Sequence, residues 1–565
     1  MSLASRALGR LARLGPAEDP DVAVDRDLPM LAEPGVTLLA DRWYPEDKDP
    51  TTVPVVLLRS PYGRRQLGLP ARVIAERGYQ VVVQSCRGTF GSGGRWEPLV
   101  HEAADGAATL RWLAEQPWWS GRLATWGPSY LGLTQWAVAA DPPPALLAMN
   151  LSMTAANFRD AVVYPGGTFN LETGAAWLHI MAYQERGWRA VIVAARDARR
   201  GALQPAFTTL PLSRADTAML RHHVPFYQEW LEHERLGDPY WEPVDFGVEL
   251  SRVPPSSLLG GWYDIFLPAQ IDDYLALRAA GREVELVIGP WAHTSTAGGL
   301  TSLRVALAWM DVHLRGRAER RERWPVRLWV QGRRRWVGLP AWPPPAVVQR
   351  WHLHAGGRLD RAAPGPGEPT RYRYDPADPT PAIGGPSLHE ANAGRRDQRA
   401  REARADVVTW TTDPLPAATT IAGPLSAEVW LRSSLEHTDL SVRLCDVDRR
   451  GVSRNLSDGI LRIEPDPAGA GSRGVRAAAP PAWGTATREP DGSLRVRIRM
   501  WPTAVRLPRG GQLRLQVAGG AHPLFARNLG SGERLGPGYT LAAADHEILH
   551  DPAHPSGLDL PVSSI

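Results

Sequence analysis

The sequence predicts an α/β protein in which helices cover an open sheet, followed by a separate all-β region. Three observations predict this organisation. Strand-like and helix-like segments alternate from Val36 to about residue 140. A block rich in aromatic residues then interrupts the alternation, which resumes after residue 250. Beyond residue 325, short alternating segments separated by Gly, Pro and Asp replace the helical spacing, as is typical of a β-sandwich or jelly roll.

The first part of the expected sheet lies in residues 1–145. Val36–Tyr44 and Val53–Arg59 are expected strands, and Tyr79–Ser85 is almost wholly apolar, as in a strand that is buried on both faces. Between the strands, apolar residues recur at helical spacing. The other elements expected here are helices at Pro70–Arg77, Glu102–Glu115 and Leu131–Ala140 and a short strand at Leu123–Trp126.

Residues 146–250 are expected to form a helical cap inserted into the sheet. The segment opens with a strand at Leu146–Leu151 and then becomes helix-like and aromatic. Such an insertion usually covers a site at the carboxyl ends of the strands. The core continues through residues 251–325, and residues 326–565 form the C-terminal β-sandwich or jelly roll. The expected elements of the second core part are strands at Ser256–Leu259 and Val284–Ile288 and helices at Pro268–Ala279 and Leu303–Leu314.

The composition excludes several classes of protein. Of 565 residues, 43% are hydrophobic and 22% are charged, which is ordinary for a globular chain. The formal net charge of +4 is small for this length, and no RNP, zinc-finger or helix-turn-helix pattern accompanies the arginines. We therefore expect no nucleic-acid partner. The two cysteines, Cys86 and Cys445, cannot build a disulfide framework or a Cys-based zinc site.

The sequence predicts a cytoplasmic protein without a membrane partner. No window approaches 18 apolar residues, and residues 1–20 lack the continuous apolar segment of a signal peptide. Abundant Ala, Arg, Gly and Pro indicate a GC-rich bacterial genome. The oligomeric state stays open, with a homo-oligomer among the alternatives.

One local motif indicates a nucleophilic serine. The short strand ending at Trp126 is followed by Gly127-Pro128-Ser129-Tyr130 and then by a helix. In such an element the strained turn projects the serine hydroxyl above the sheet. The backbone N–H of Tyr130 lies at the helix start, where it can bind a developing oxyanion. Because the spacing is Gly-x-Ser-x-x-Gly and not the stricter Gly-x-Ser-x-Gly, an ordinary strand–helix turn is the alternative.

An acid and a base follow the serine in the chain order of a hydrolytic triad. Asp264 comes just after one expected strand, and His293 comes just after the next. Parallel strands of one sheet end at the same edge, so Ser129, Asp264 and His293 are expected to converge there. The alternatives are a helix N-cap for Asp264 and an ordinary loop position for His293.

The sequence contains no metal or phosphate-binding motif. A His-Glu-x-x-His zinc motif and a Gly-x-x-x-x-Gly-Lys phosphate loop are both absent from it. Gly88–Gly94 is glycine-rich, but no helix start follows, so we expect a tight loop beside the site. We expect neither a metal nor an organic cofactor.

Several stretches of the sequence share their pattern with one known family. They are Arg59-Ser60-Pro61-Tyr62-Gly63-Arg64, Arg87-Gly88 with Gly91-Ser92-Gly93-Gly94, Gly127–Gly132, Gly261-Trp262-Tyr263-Asp264, Gly289-Pro290-Trp291-Ala292-His293 and, in the β region, Asn455–Arg462. Together they resemble the CocE/NonD family of serine hydrolases, the group of cocaine esterase and X-Pro dipeptidyl-peptidases.

The resemblance implies an α/β-hydrolase core with a C-terminal jelly roll. It implies Ser129 as nucleophile, His293 as base and Asp264 as the partner that orients the base. It also implies that the hydroxyl of Tyr62 donates to the oxyanion beside the N–H of Tyr130. A packing aromatic at the end of a strand is the alternative for Tyr62.

The residues after the triad acid bear on the substrate. The chain also resembles α-amino-acid ester hydrolases, which place carboxylates directly after the triad acid to hold the ammonium group of the substrate. Here apolar Ile265, Phe266 and Leu267 follow Asp264, which favours a neutral or hydrophobic acyl group. Phe266 lines the acyl pocket or belongs to the core, and Trp291 is a second candidate for the pocket.

These observations predict a serine esterase that acts on a small-molecule ester through an acyl-enzyme intermediate. Three alternatives stay open. The first is an amide hydrolase of the X-Pro dipeptidyl-peptidase type. The second is an acyltransferase or macrolactone-forming enzyme of a biosynthetic pathway. The third is a non-catalytic binding protein that acts through its β region.

Overall fold

The structure is a computed structural model that describes residues 2–187, 192, 196, 201–247, 249–317, 324–388, 390–465, 475–477 and 482–565. Its strands form two large sheets, in the order β1-β2-β4-β3-β5-β6-β7-β8-β9-β10 for the first. The strands of the first sheet are β1 (Val22–Glu33), β2 (Val36–Pro45), β3 (Val55–Ser60), β4 (Gln80–Ser85), β5 (Leu123–Pro128), β6 (Leu146–Ser152), β7 (Ser256–Tyr263), β8 (Val284–Ala292), β9 (Val326–Val330) and β10 (Arg335–Leu339). The pairs from β4 through β9 are parallel, and the pairs at both ends are antiparallel.

Helices cover both faces of this sheet. Along β3, Val55 and Leu57 pack into the cluster that contains residues of the helices Glu102–Ala114 and Tyr130–Trp136. Val56 and Leu58 pack into the cluster that contains residues of the helices Gly68–Ala75 and Thr296–Arg315. The predominantly apolar and buried central strands follow from this two-sided burial. The described helices are α1 (Leu3–Leu11), α2 (Gly68–Ala75), α3 (Glu102–Ala114), α4 (Tyr130–Trp136), α5 (Leu171–Tyr183), α6 (Gln204–Thr208), α7 (Ala215–Leu220), α8 (Pro225–Glu232), α9 (Leu267–Ala279), α10 (Thr296–Arg315) and α11 (Arg399–Glu402).

Helices α5 to α8 lie between β6 and β7 in the chain, as expected for an inserted helical block. Their aromatic residues join the same buried cluster as one face of the sheet. Phe158, Trp177, Phe226 and Trp230 contact one another within this cluster, with ring centroids 5.0 to 6.3 Å apart. The aromatic content of the insertion therefore builds its packing against the core.

Strand β9, which opens the expected β region at residue 326, is paired with the first sheet. Strand β9 pairs in parallel with β8, with Leu286 opposite Val326 and Ile288 opposite Leu328, and β10 continues the sheet to Leu339. The alternating pattern of β9 is equally typical of either domain, and only its pairing assigns it. Strand β1 and helix α1 were not expected from the sequence, because β1 is a half-exposed edge strand without a regular apolar alternation.

The C-terminal region is built from β-strands around its own buried cluster, as expected. Its long path runs β13-β22-β15-β23-β11-β12-β14-β21-β16-β17-β18, and β20 pairs with both β15 and β19. The strands are β11 (Ala346–His354), β12 (Arg358–Asp360), β13 (Thr370–Tyr374), β14 (Val407–Thr411), β15 (Thr419–Ser433), β16 (Thr438–Val447), β17 (Ser453–Pro465), β18 (Val475–Ala477), β19 (Gly484–Arg488), β20 (Leu494–Leu507), β21 (Gln512–Ala518), β22 (Ala544–Leu549) and β23 (Gly557–Ser563).

The two regions are in direct contact. Arg499 of β20 forms an ion pair with Asp272 of α9 at 2.6 Å. The Trp501 indole N–H lies 3.4 Å from the backbone oxygen of Asp264, so the β region touches the sheet at its carboxyl edge. Within the part of the chain that the structure describes, no helix combines the length and the apolar character needed to cross a membrane.

Candidate active site

Ser129 occupies a strained turn between β5 and α4. Its backbone has φ 58° and ψ −124°, a conformation that is unusual for a residue with a side chain. A Cβ at position 127 would overlap Leu131, and a Cβ at position 132 would overlap Thr154, so both flanking glycines are required by close packing. The expected strand–turn–helix element is therefore present.

Asp264 and His293 follow neighbouring parallel strands and meet at the edge of the sheet. Asp264 comes directly after β7, and His293 comes directly after β8. The Nδ1 atom of His293 lies 2.8 Å from Oδ1 of Asp264, whose side chain is fully buried. With Nδ1–H donated to the carboxylate, the Nε2 atom of the neutral imidazole carries the lone pair that can accept a proton.

Tyr62 brings a hydroxyl group to the same place from the end of β3. Its backbone N–H donates to the Ser60 hydroxyl at 3.0 Å. The indole N–H of Trp177 donates to the Tyr62 oxygen at 3.1 Å, and Tyr62 lines the same cavity as Ser129. Protein atoms packed around the phenol desolvate it, which raises the pKa of Tyr62 to about 12. The hydroxyl therefore keeps its proton at neutral pH and can donate it in a hydrogen bond.

Tyr130 is the first residue of α4, where the backbone N–H has no acceptor within the helix. A buried network fixes this residue. Its hydroxyl donates to Glu102 at 2.9 Å and accepts from the backbone N–H of Leu99 at 2.9 Å. Glu102 in turn pairs with buried Arg59 at 2.8 Å. Glu102 is not predictable from the sequence, because no motif connects a residue of α3 with the turn after β5.

Ser129, Tyr62 and His293 line one cavity of about 490 Å³, which includes the part open to solvent. Most of its wall is apolar, and no Arg, Lys, Asp or Glu belongs to the wall among the described residues. The larger apolar side chains of the wall are Phe158, Phe169, Trp177, Trp230, Phe266 and Leu388. An uncharged substrate group fits this surface, because a charged group would lose its hydration without gaining a partner.

Of the two expected pocket residues, one lines the cavity and the other does not. Phe266 lines the cavity, and its ring stacks on His293 with centroids 5.4 Å apart. The expectation for Trp291 is wrong. The pairing of β7 and β8 shifts register between Gly261 and Tyr263, and the Trp291 indole packs with Met153 and Val305 in a separate buried cluster.

The β region contributes one wall of the cavity through Leu388. The hydroxyl of Thr294, next to His293, donates to the backbone oxygen of Leu388 at 3.1 Å. On the other side, Ser387 and Asn392 donate to buried Glu172 of α5 at 3.2 and 2.6 Å. Sequence reasoning missed these residues, since their partners are 94 and more positions away.

One described group has side chains spaced for a metal ion, namely Glu229, Glu232 and His233 at the end of α8. Both glutamates are exposed, and none of the three lines the cavity. His233 is engaged by Asp238 at 3.0 Å and stacks on Tyr240. The group therefore offers nothing to the chemistry of Ser129.

Both regions of the chain match known protein families. Residues 34–295 match the model of the X-Pro dipeptidyl-peptidase (S15) family, and residues 322–559 match that of the X-Pro dipeptidyl-peptidase C-terminal non-catalytic domain. The chain is 28% identical to cocaine esterase from Rhodococcus sp. over 580 residues, which cover 94% of this chain and 96% of the relative.

Two solved structures share the fold. An aminopeptidase from a marine sediment Thaumarchaeota archaeon superposes with a TM-score of 0.78 at 21% identity and covers 98% of both chains. An α-amino acid ester hydrolase superposes with a TM-score of 0.77 at 21% identity and covers 97% of this chain and 98% of its own. The similarity thus extends through the core, the insertion and the β region.

Proposed function

Since this chain belongs to the CocE/NonD family of serine hydrolases, we propose that it cleaves carboxylic esters of neutral or hydrophobic acyl groups through an acyl-enzyme intermediate. One observation carries the proposal. The Asp264–His293 pair, with its 2.8 Å hydrogen bond, opens onto the same cavity as Ser129 and Tyr62. These are the groups that acyl transfer to serine requires.

In the proposed reaction, the Ser129 hydroxyl attacks the ester carbonyl while Nε2 of His293 takes its proton. Asp264 holds the imidazole in the required tautomer and stabilises the imidazolium that forms. The Tyr62 hydroxyl and the Tyr130 backbone N–H donate hydrogen bonds to the carbonyl oxygen as it becomes negatively charged. His293 then protonates the leaving alcohol, and water, activated by the same imidazole, releases the acid.

The uncharged wall of the cavity supports the choice of substrate. An acyl group with an ammonium or carboxylate would enter without an ionic partner, because no Arg, Lys, Asp or Glu lines the described wall. Alkyl and aryl acyl groups instead gain burial against the aromatic side chains.

Labelling with a fluorophosphonate probe tests the proposal. The probe reacts with an activated serine, so wild-type protein is expected to be labelled on the peptide that contains Ser129. Ser129→Ala and His293→Ala are expected to lose the label. Ser152→Ala changes another buried serine, which does not line the cavity, and this control variant is expected to keep the label. A wild-type protein that resists the probe contradicts the proposal.

Cleavage of X-Pro amides is the second candidate function, and the match to the X-Pro dipeptidyl-peptidase family favours it. Such a substrate presents an N-terminal ammonium group, for which a carboxylate on the wall would be the natural partner. None lines the described cavity. Release of Xaa-Pro from a chromogenic dipeptide amide at a rate comparable to ester cleavage would favour this second function.

A further inference from the structure

The apolar cavity contains one polar corner, at the start of α5. Asn170 precedes this helix and Thr173 lies in its first turn, and both line the cavity while being only 4% exposed. The Thr173 hydroxyl has no hydrogen-bond partner among the residues that the structure describes. A buried hydroxyl without a partner loses free energy relative to water, so a partner from outside the chain is expected here.

The carboxylate of Glu172, the chain neighbour of Thr173, is already engaged by other partners. Glu172 faces the β region, where Ser387 and Asn392 donate to its carboxylate. The side-chain oxygen of Asn170 accepts the backbone N–H of Thr173 at 3.3 Å, which leaves its amide N–H groups as donors. Two donors, the threonine hydroxyl and the asparagine amide, are thus available at this corner.

The helix sets the distance of the corner from the reacting carbonyl. Trp177 lies one turn after Thr173, and its indole N–H reaches the Tyr62 hydroxyl. Four residues correspond to about 6 Å along the axis, and residues four apart lie on the same face of a helix. An acyl group that extends from a carbonyl at Tyr62 along this face of α5 is therefore expected to reach the Thr173 corner after about 6 Å.

We propose that Thr173, with Asn170, recognises a neutral oxygen substituent of the acyl group, a hydroxyl, ether or carbonyl about 6 Å from the ester carbonyl. The proposal rests on the proposed esterase function and narrows its substrate class to acyl groups with an apolar body and an oxygen at the far end. The oxygen is neutral, because no cationic side chain lines the described cavity to bind a carboxylate.

Two isosteric substrates test this inference. The p-nitrophenyl esters of heptanoic acid and of 5-methoxypentanoic acid have the same length, and they differ only by an oxygen in place of one methylene group. The quantity measured is the ratio of kcat/KM for the ether ester to kcat/KM for the alkyl ester. Because both values come from one preparation, the fraction of folded enzyme cancels in the ratio.

Thr173→Val removes the hydroxyl at nearly constant volume and is expected to lower this ratio about fivefold or more, the worth of one hydrogen bond to a buried donor. Thr173→Ser is expected to keep the wild-type ratio. Thr168→Val is the matched control, since the Thr168 hydroxyl is buried and already donates to the Pro165 oxygen at 2.8 Å. It is expected to leave the ratio unchanged.

A ratio that stays within twofold of wild type in Thr173→Val overturns this inference, and so does an equal fall in Thr168→Val. Both outcomes require that wild type hydrolyses the two esters, and they leave the esterase function intact. Absence of turnover by wild type on both esters overturns the proposed function itself, and the inference falls with it.

Discussion

The Nδ1 atom of His293 lies 2.8 Å from Oδ1 of Asp264, although 29 positions separate the two residues in the chain. The contact exists because β7 and β8 are parallel neighbours and each ends directly before one of the two residues. Asp264 is fully buried, so its carboxylate meets the imidazole without competition from water. The pairing fixes both the orientation and the tautomer of the base.

We expect Asp264→Asn to fold and to lose activity. An asparagine keeps the shape of the side chain but can donate to Nδ1, which favours the wrong imidazole tautomer, and kcat is expected to fall by about 10³- to 10⁴-fold. Turnover of a p-nitrophenyl ester measures the effect. Asp272→Asn, at a half-exposed ion pair on α9, is the control and is expected to retain activity. A fall of less than tenfold in Asp264→Asn would exclude this role.

Tyr62→Phe is expected to lower kcat by about 10²- to 10³-fold, because the transition state loses one hydrogen-bond donor. Since the pKa of Tyr62 is about 12, the hydroxyl stays protonated up to that pH, and activity is not expected to fall between pH 8 and 10 through its ionisation. Tyr44→Phe removes a tyrosine hydroxyl on β2 that does not line the cavity, and is the control that is expected to keep the wild-type kcat. Equal kcat values for Tyr62→Phe and wild type would remove this hydroxyl from the mechanism.

Glu102→Ala is expected to destabilise the protein by about 3–5 kcal/mol, because it leaves the buried Arg59 guanidinium without its partner. Urea denaturation measures this change in the free energy of unfolding. Glu97→Ala, at a partly exposed position near the start of α3, is expected to change it by less than about 0.5 kcal/mol. Similar values for the two variants would show that the network does not support the turn.

Tyr130→Phe separates positioning from stability in the same network. The variant keeps the Arg59–Glu102 pair but removes the bonds of the tyrosine hydroxyl to Glu102 and Leu99. If these bonds position the Tyr130 N–H, kcat falls while KM stays close to its wild-type value, because only the transition state carries the oxyanion. A change in KM alone would assign these bonds to substrate binding.

The buried Glu172 carboxyl predicts a pH-dependent stability difference. Burial raises the pKa of Glu172 above its ordinary value, although Asn392 and Ser387 oppose the rise. The folded state therefore binds a proton more tightly than the unfolded state, so stability falls as pH rises through the interval above the unfolded pKa of about 4.3. Glu172→Gln removes this step.

Urea denaturation at several pH values measures the effect. The free energy of unfolding of Glu172→Gln, minus that of wild type, is expected to increase as pH rises from 4 to 7. A difference that stays constant, or that decreases over this range, contradicts the assigned direction.

Local patterns predicted the parts of the fold that depend on burial. The strand of Tyr79–Ser85 and the turn at Ser129 were recognised because an apolar run and a Gly-Pro-Ser-Tyr sequence are local signals. The pattern of strand β9 does not say which sheet it joins, and only its pairing with β8 assigns it to the first sheet. Trp291 was misplaced for a similar reason, because a register shift decides which way its side chain points.

Contacts between distant segments could not be predicted. Leu388 reaches the cavity through a loop of the β region, and Glu102 reaches Tyr130 from another helix. Neither contact has a spacing or a periodicity that the sequence reveals. The corner at Thr173 could not be predicted either, since only the structure shows that the Thr173 hydroxyl lacks a partner among the described residues.

The most direct test of the central claim is the turnover of a p-nitrophenyl acyl ester by Ser129→Ala, compared with wild type at equal concentrations of folded protein. Wild type is expected to release p-nitrophenol, and kcat of the variant is expected to be lower by about 10⁴-fold or more, because the nucleophile is gone. Turnover by the variant within tenfold of wild type would contradict the assignment of Ser129 as the nucleophile.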